Sequence, residues 1–175
     1  MEAGQDNIEA ISISSYNNSS SEVNSRYVNL KIINDNEFIF FTNYNSPKSI
    51  EFDSHSQIAA IFYWPSIAVQ IRIKAKIKKT SIKYNQKYFS ERSLKKNALA
   101  ISSNQSEIIN SYDSVIKNYN NSIEFDNLKQ CPEFWGGYSF TPYYFEFWEG
   151  HESRLNKREV YKNNNNHWDY FILQP

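Results

Sequence analysis

The chain has 175 residues, of which 40% are hydrophobic and 17% aromatic, and its 19 basic residues balance 19 acidic ones. This length suits one domain with a substantial core, and the aromatic content excludes a disordered chain and favours a β-rich interior. A net charge of zero argues against nucleic acid as the main partner, because binding a phosphate backbone normally needs a clear basic excess. We therefore expect a single domain over residues 1–175, with a flexible N-terminus at 1–9.

The cysteine content and the N-terminal sequence indicate the cellular compartment in which the protein is found. Cys131 is the only cysteine and has no partner for a disulfide within the chain, and the N-terminus MEAGQDNIEA lacks the basic start and apolar run of a signal peptide. No stretch approaches the roughly 20 apolar residues of a membrane helix. We expect a soluble, cytoplasmic protein that does not bind membranes, and we expect no metal site.

The first half of the chain has the pattern of an antiparallel meander. Its apolar residues predict five strands, at 10–15, 26–33, 38–42, 58–64 and 69–78. Asn34-Asp35-Asn36 is typical of a hairpin turn, and Ser46-Pro47 is typical of a helix start, here of a short helix to about residue 55. In the last strand lysines alternate with apolar residues, so we expect the lysines at 74–78 to be solvated.

The second half combines helices with aromatic strands. From 81 to 120 the apolar residues recur at helical spacing. Strands are then expected at 138–141, 144–148, 160–162 and 168–173. Trp135-Gly136-Gly137 predicts a tight turn, since Gly tolerates a positive φ. Strands, then helices, then strands predict an α+β domain that resembles a barrel.

The stretch 134–158, FWGGYSFTPYYFEFWEGHESRLNKR, is where the sequence most suggests a ligand site. A strand of aromatic residues is followed by Gly150 and then by Arg154 and Arg158. Flat aromatic surface beside two arginines suits a planar, anionic ligand. Aromatic strands are more often core, however, and two arginines four apart are more often a solvated face, so composition alone favours a structural role.

The order of residues in this stretch resembles a known family. Glu146-Phe-Trp-Glu-Gly followed by Arg154-Leu-x-x-Arg158 resembles the C-terminal signature of the pyridoxamine (pyridoxine) 5'-phosphate oxidases, EFWQG and then RLHDR. Upstream, the family's R-x-V-L-L-K, F-Y/F-T-N and S-x-K sequences are matched by Arg26-Tyr-Val-Asn-Leu-Lys31, Phe41-Thr42-Asn43 and Ser46-x-Lys48. Further matches follow in the family's order at Trp64, Gln70, Tyr88-Phe89-x-x-Arg92 and Gln105-Ser106. The resemblance runs from about residue 10 to residue 175.

This resemblance implies a split β-barrel flavoprotein of the α+β class with flanking helices, which binds FMN at a homodimer interface. The implied activity is the FMN-dependent oxidation of pyridoxamine or pyridoxine 5'-phosphate to pyridoxal 5'-phosphate, with oxygen as electron acceptor. By motif, the flavin-site positions would be Arg26, Lys31, Phe41, Thr42, Lys48, Gln70, Gln105, Ser106, Trp148 and Arg158. The phosphorylated substrate would be held by Lys31, Tyr88, Arg92, Lys96 and Arg154, and the catalytic positions would be Arg154 and Asn156.

Four of these residues also have a local interpretation. Lys48 lies in the first turn of its helix, where a cation is unfavourable, so a ligand role is favoured; we expect it to be an exposed charge. Gln70 taken alone is a polar residue on the solvated face of a strand. Arg26 and Lys31 are five apart, so they share a site only if the strand bulges or ends between them, or if two subunits build two sites.

The chain departs from the family pattern at four places. Pro47 stands where the family usually has an arginine, and Lys96 stands near the position of a serine that helps to hold the substrate phosphate. Asn156 replaces the histidine of RLHDR and does not exchange a proton near neutral pH. The sequence also starts close to its first strand, so we expect cover of the active site by a longer N-terminal arm to be absent or supplied otherwise.

These departures leave two alternatives to the oxidase. One is a non-catalytic protein of the same fold that binds FMN or pyridoxal phosphate. The other, less favoured, is a flavin reductase-like enzyme that acts on another substrate.

Overall fold

The computed structural model describes residues 7–175, and this part of the chain forms nine strands and four helices. The strands are β1 (Ala10–Asn17), β2 (Glu22–Asn29), β3 (Ile32–Asn34), β4 (Glu37–Asn43), β5 (Gln57–Trp64), β6 (Val69–Lys79), β7 (Trp135–Glu149), β8 (Lys157–Asn164) and β9 (His167–Ile172). The helices are α1 (Pro47–Ser54), α2 (Ile82–Glu91), α3 (Leu94–Ser102) and α4 (Tyr112–Phe125), and a short 3-10 turn covers Pro65–Ile67. The predicted α+β class is confirmed. Of the N-terminal segment 1–9, residues 1–6 lie outside the described part.

All nine strands belong to one antiparallel sheet in the order β2-β1-β5-β6-β7-β4-β3, and β8 and β9 extend it from β7. The longest strand, β7, bonds to β6 along its length. Its first half also pairs with β4 and its second half with β8. The first half of β7 therefore lies beside Phe41 and Thr42, and its second half lies beside Gln70 and Arg158.

The prediction of two strands in 138–148 preceded by a glycine turn is wrong. β7 is continuous, and a β-bulge at Tyr143 takes up the irregularity, because Pro142 pairs with Ala75 while Tyr144 pairs with the residue before it, Lys74. Pro142 lies between the segments of β7 that pair with β4 and β8, where its missing N–H removes no bond to either strand.

Gly136 and Gly137 lie inside β7, where close packing excludes a larger residue. A Cβ atom on Gly136 would stand 2.2 Å from Tyr44 Oη and 2.4 Å from Asn85 Nδ2. The Asn85 side chain joins α2 to β7, since its Oδ1 accepts from the Gly137 N–H at 3.0 Å and its Nδ2 donates to Tyr44 Oη at 3.0 Å. The glycines thus let α2 approach the strand.

The predicted strand 26–33 is broken in two. β2 ends at Asn29 and β3 begins at Ile32, and between them the buried Leu30 donates its N–H to the Glu9 carbonyl at 2.8 Å. The break removes the strict alternation of side chains across this segment. Arg26 and Lys31 are therefore free to face the same side.

The core lies on the inner face of the sheet and is closed by α1. Its buried side chains include Ile11, Ile13, Phe40, Phe52, Ile58, Ala60, Ile73, Ala75, Ile77, Tyr138 and Phe140. The lysines at positions 74, 76 and 78 of β6 point to solvent between these apolar positions, as predicted. Within residues 7–175, no helix combines the length and the apolar character needed to cross a membrane.

Candidate functional site

A cleft of about 1010 Å³ opens among β2, the start of α1 and the α2–α3 pair. Ten of the residues predicted for the site line it: Arg26, Lys31, Phe41, Thr42, Lys48, Tyr88, Arg92, Lys96, Gln105 and Ser106. Within residues 7–175 the lining carries five cationic side chains against two carboxylates, although the chain as a whole has no net charge. This local excess of positive charge suits an anionic ligand.

Lys48 lies in the deepest basic corner of the cleft. It was expected to be exposed but is only 8% exposed. Its Nζ donates to Ser46 Oγ and to Gln105 Oε1, each at 2.9 Å, and the same Gln105 oxygen accepts from Thr42 Oγ1 at 3.0 Å. Burial, together with the nearby Arg26 cation, lowers the pKa of Lys48 to about 8. Among residues 7–175 no carboxylate forms an ion pair with this ammonium, although the nearby Glu51 opposes the lowering of its pKa, and an anion in the cleft would stabilise it.

Arg26 stands beside Lys48 and is held by a carboxylate on α1. Its Nη2 donates to Glu51 Oε2 at 2.8 Å, and its Nη1 donates to Ser15 Oγ and to the Ile13 carbonyl, the latter at 3.3 Å. Glu51 is 2% exposed, whereas the Arg26 side chain keeps 22% of its surface exposed. A buried acid therefore fixes a half-buried cation at the cleft wall.

Phe41 and Tyr88 line the cleft as part of an aromatic stack. The rings of Phe41 and Tyr88 stack with centroids 3.7 Å apart, and Phe41 stacks on Trp135 at 5.2 Å, both within 8° of parallel. The guanidinium of Arg92 lies over the Trp135 ring, 4.5 Å from its centroid. The Tyr88 hydroxyl is protonated near neutral pH and can donate a hydrogen bond, and burial raises its pKa further. The wall offers flat surface, one hydroxyl donor and one oriented cation.

The other five predicted residues lie away from this cleft. On β7, Trp148 pairs with Gln70 of β6 and with Arg158 of β8. Phe41 of the cleft pairs with Gly137, eleven residues earlier on the same strand. At roughly 3.3 Å per residue, the two groups are about 35 Å apart along β7, which is longer than a mononucleotide. One chain therefore does not present both groups to a single flavin.

Arg158 is held in this distant group by a second buried carboxylate, Glu146, which is 1% exposed. Glu146 Oε1 accepts from Arg158 Nε at 2.9 Å and from its Nη2 at 2.8 Å, and Oε2 accepts from Arg72 Nη1 at 2.8 Å and from Tyr144 Oη at 3.0 Å. Burial opposes its ionisation, but the hydrogen bonds from Arg158 and Tyr144 outweigh it and hold the pKa of Glu146 below its ordinary value. Trp148 lies next to this cluster and lines an apolar hollow of about 600 Å³.

Arg154 and Asn156 lie on the loop between β7 and β8. Arg154 is exposed and adopts a φ of 61°, a left-handed conformation. Asn156 closes the loop, because its Oδ1 accepts the His151 backbone N–H at 3.0 Å, and the Arg154 N–H bonds to the His151 carbonyl at 2.9 Å. The Asn156 amide oxygen thus has a structural partner, and the loop presents the Arg154 side chain to solvent.

Comparison with known proteins decides the family. The family model described as "Pyridoxine 5'-phosphate oxidase C-terminal dimerisation region" matches residues 135–175, which span β7 to β9. The pyridoxine/pyridoxamine 5'-phosphate oxidase of Legionella pneumophila strain Paris is 39% identical over 153 residues, covering 86% of this chain and 71% of the relative. That of Hydrogenovibrio crunogenus is 34% identical over 179 residues and covers 100% of this chain and 82% of the relative. The chain belongs to the pyridoxine/pyridoxamine 5'-phosphate oxidase family. The prediction of an oxidoreductase of this family is confirmed.

Solved structures confirm the predicted split-barrel fold of this oxidase family. PhzG from Burkholderia lata, solved in complex with tetrahydrophenazine-1-carboxylic acid, superposes with a TM-score of 0.91 at 24% identity, covering 99% of this chain and 85% of PhzG. A pyridoxamine 5'-phosphate oxidase-related, FMN-binding protein from Nostoc punctiforme superposes with a TM-score of 0.78 at 11% identity, covering 96% and 88% of the two chains. At these identities the likeness concerns the fold.

Two carboxylates and one tryptophan at the site were not predicted. Glu146 stands inside the oxidase motif, but its position in the motif does not show that it pairs with Arg158. Glu51 and Arg26 are 25 residues apart, and only the packing of α1 against β1 and β2 brings them together. Trp135 was read as part of a turn, because the glycines that follow it suggested positive φ and not close packing. The roles assigned to the predicted site residues stay predictions.

Proposed function

We propose that this protein is an FMN-dependent oxidase that converts pyridoxamine or pyridoxine 5'-phosphate to pyridoxal 5'-phosphate with oxygen as electron acceptor, and that it works as a homodimer. The observation that carries the proposal is the basic cleft with its stacked aromatic wall, in a chain of this oxidase family. Its cytoplasmic location remains a prediction from the sequence.

FMN is the cofactor, and the residues of the cleft fit it. Arg26 and Lys48 form a corner of two partly buried cations, which suits a phosphoryl group with close to two negative charges. Hydroxyl and amide groups stand beside them on Thr42, Gln105 and Ser106. When bound, FMN supplies the hydride-accepting ring and the passage of electrons to oxygen. The protein holds the cofactor and orients the substrate against it.

The substrate phosphate is held at the α2–α3 side of the same cleft. Lys31, Arg92 and Lys96 supply positive charge there, and Tyr88 supplies a hydroxyl donor. Stacking on Trp135 orients the Arg92 guanidinium, and Arg92 Nη1 donates to Asn97 Oδ1 at 3.2 Å. Lys96 compensates with a full charge for the serine hydroxyl that the family pattern places near this position.

The homodimer follows from the separation of the two groups of site residues. The cleft and the group of Gln70, Trp148, Arg154, Asn156 and Arg158 lie about 35 Å apart along β7, yet the family resemblance assigns both to one site. A second copy of the chain would bring its arginine loop to the cleft of the first, and the match to a dimerisation region over residues 135–175 supports such a dimer. Each site takes its cleft from one copy and its arginine loop from the other.

Arg154→Ala tests the role of this loop. Arg154 is exposed and makes no side-chain ion pair among residues 7–175, so the substitution should leave folding intact. If its guanidinium stacks on and hydrogen-bonds to the substrate, turnover of pyridoxine 5'-phosphate should fall at least about 100-fold while FMN affinity changes less than about threefold. Lys76→Ala, an exposed cation on β6, is the matched control. If turnover and FMN affinity fell equally, the proposed contact between Arg154 and the substrate would be refuted.

The second candidate function is a non-catalytic protein that binds FMN or pyridoxal phosphate. It is favoured by Asn156, whose amide oxygen closes the loop through the His151 N–H and which cannot exchange a proton. The oxidase proposal expects Asn156→His to change turnover by no more than about tenfold, or roughly 1.4 kcal/mol of barrier. The result that would favour this second function has two parts. The natural protein would be inert with phosphorylated pyridoxines, and Asn156→His would raise turnover by several orders of magnitude.

A further inference from the structure

The cleft that is expected to take an anion also contains a buried acid. Glu51 on α1 is 2% exposed and lines the cleft together with Arg26 and Lys48. Burying a carboxylate is costly, and a negative charge close to a phosphate weakens its binding by repulsion. Attraction for the ligand therefore does not explain Glu51, and its effect has to run through a neighbouring group.

The neighbours of Glu51 belong to two paired strands. Glu51 Oε2 accepts from Arg26 Nη2 at 2.8 Å and from Ser15 Oγ, and Oε1 accepts from Asn24 Nδ2 at 2.8 Å. Burial opposes its ionisation, but these hydrogen bonds outweigh it and hold the pKa of Glu51 below its ordinary value. An ionised carboxylate on α1 thus binds β1 and β2 at the point where Arg26 enters the cleft.

The hydrogen bonds of the Arg26 guanidinium show how the contact with Glu51 orients it. A guanidinium has five N–H groups in one rigid plane. Ser15 Oγ and the Ile13 carbonyl occupy Nη1, and Glu51 occupies one N–H of Nη2. Because Ser15 Oγ bonds both Nη1 and the same Glu51 oxygen, Glu51 lies at the outer end of the guanidinium. The N–H of Nε and the second N–H of Nη2, which share one edge, have no partner among residues 7–175.

We propose that Glu51 is a positioning residue for the cofactor phosphate: it holds the outer end of the Arg26 guanidinium so that the Nε–Nη2 edge faces the cleft. Two parallel N–H groups on one edge match two phosphate oxygens, and the ammonium of Lys48 provides the second cation of the corner. The added negative charge costs some affinity, and the fixed orientation of Arg26 more than offsets it. This inference rests on the proposed function, because it needs a phosphorylated ligand in the cleft.

The test compares FMN with riboflavin, which lacks the phosphate, in titrations of the ligand-free full chain. Glu51→Ala should weaken FMN binding at least about tenfold and riboflavin binding less than about twofold, because only the phosphate contact depends on Arg26. Glu51→Gln keeps an oxygen acceptor, so its FMN affinity should lie within about threefold of that of the natural chain. In an Arg26→Ala background, Glu51→Ala should cause no further loss, since a positioning residue acts only through its partner.

Glu51→Asp covers the case in which the alanine variant does not fold. It keeps the charge but shortens the reach by one methylene, so it should weaken FMN binding at least about threefold and leave riboflavin binding unchanged. The inference would be overturned if Glu51→Asp bound FMN as tightly as the natural chain. It would also be overturned if a Glu51 variant lost equal affinity for FMN and riboflavin, or if the losses from Glu51→Ala and Arg26→Ala were additive. A natural chain that binds riboflavin and FMN equally would overturn the proposed phosphate corner, and one that binds neither would overturn the proposed function as well.

Discussion

Replacing Lys48 by methionine should stabilise the ligand-free protein and weaken its hold on FMN. In the folded chain burial lowers the pKa of Lys48 from 10.5 to about 8, a shift that corresponds to about 3 kcal/mol against folding at pH 7. Methionine removes this cost and keeps the length of the side chain. It gives up two hydrogen bonds, but Ser46 Oγ still donates to the Asn43 carbonyl and Gln105 Oε1 still accepts from Thr42. The net gain should be about 1 to 2 kcal/mol, or roughly 2 to 8 °C in Tm.

The pH dependence of this gain identifies its cause. Between about pH 8 and pH 10.5 the unfolded chain holds a proton on Lys48 that the folded chain has lost, so the natural protein gains stability as the pH rises through this range. The advantage of Lys48→Met should be complete below pH 8 and largely gone near pH 10. Urea denaturation at pH 7 and pH 9.5, with FMN titrations at pH 7, measures both effects. A variant that is less stable at pH 7 by 1 kcal/mol or more, with a deficit that does not change with pH, would refute this reasoning.

Two further substitutions test the packing around the site. Glu146→Ala should lower the free energy of unfolding by about 1 to 3 kcal/mol, because Arg158 and Arg72 lose their buried partner while both stay partly exposed, and Glu146→Gln should cost less; equal costs would rule out the ionic contribution. Gly136→Ala should destabilise the chain by at least about 1 kcal/mol, since its Cβ would stand 2.2 Å from Tyr44 Oη, and natural thermal stability in this variant would contradict the close packing of α2 on β7.

Local patterns in the sequence were enough to predict some of the elements. The alternation of apolar residues with lysines along β6 and the Ser46-Pro47 start of α1 predict both elements almost to the residue, because each depends on short-range chemistry. The strands around Leu30 and Tyr143 were mispredicted. The break after β2 coincides with the bond from the Leu30 N–H to the Glu9 carbonyl, and the bulge in β7 lies in its pairing with β6, so both depend on contacts between segments far apart in sequence.

The candidate site was predictable in its residue types but not in its layout. Family motifs name both Lys48 and Trp148, yet they do not show that Lys48 lines the cleft and that Trp148 lies outside it. Burial of Lys48 and its pKa near 8 arise where α1 meets Gln105, 57 residues later in the sequence. The pairing of Arg26 with the buried Glu51 and of Arg158 with the buried Glu146 is likewise a product of tertiary packing.

Subunit complementation tests most directly the claim that two copies build each site. Arg92→Ala disables the cleft and Arg154→Ala disables the loop, so either variant alone should form a dimer that oxidises pyridoxine 5'-phosphate poorly. Co-expression with two different tags yields a heterodimer in which one site carries both substitutions and the other carries neither. Formation of pyridoxal 5'-phosphate with an equal amount of peroxide is then measured for the purified, FMN-loaded heterodimer. The account predicts about half of the natural turnover per dimer, and a heterodimer no more active than either parent would contradict it.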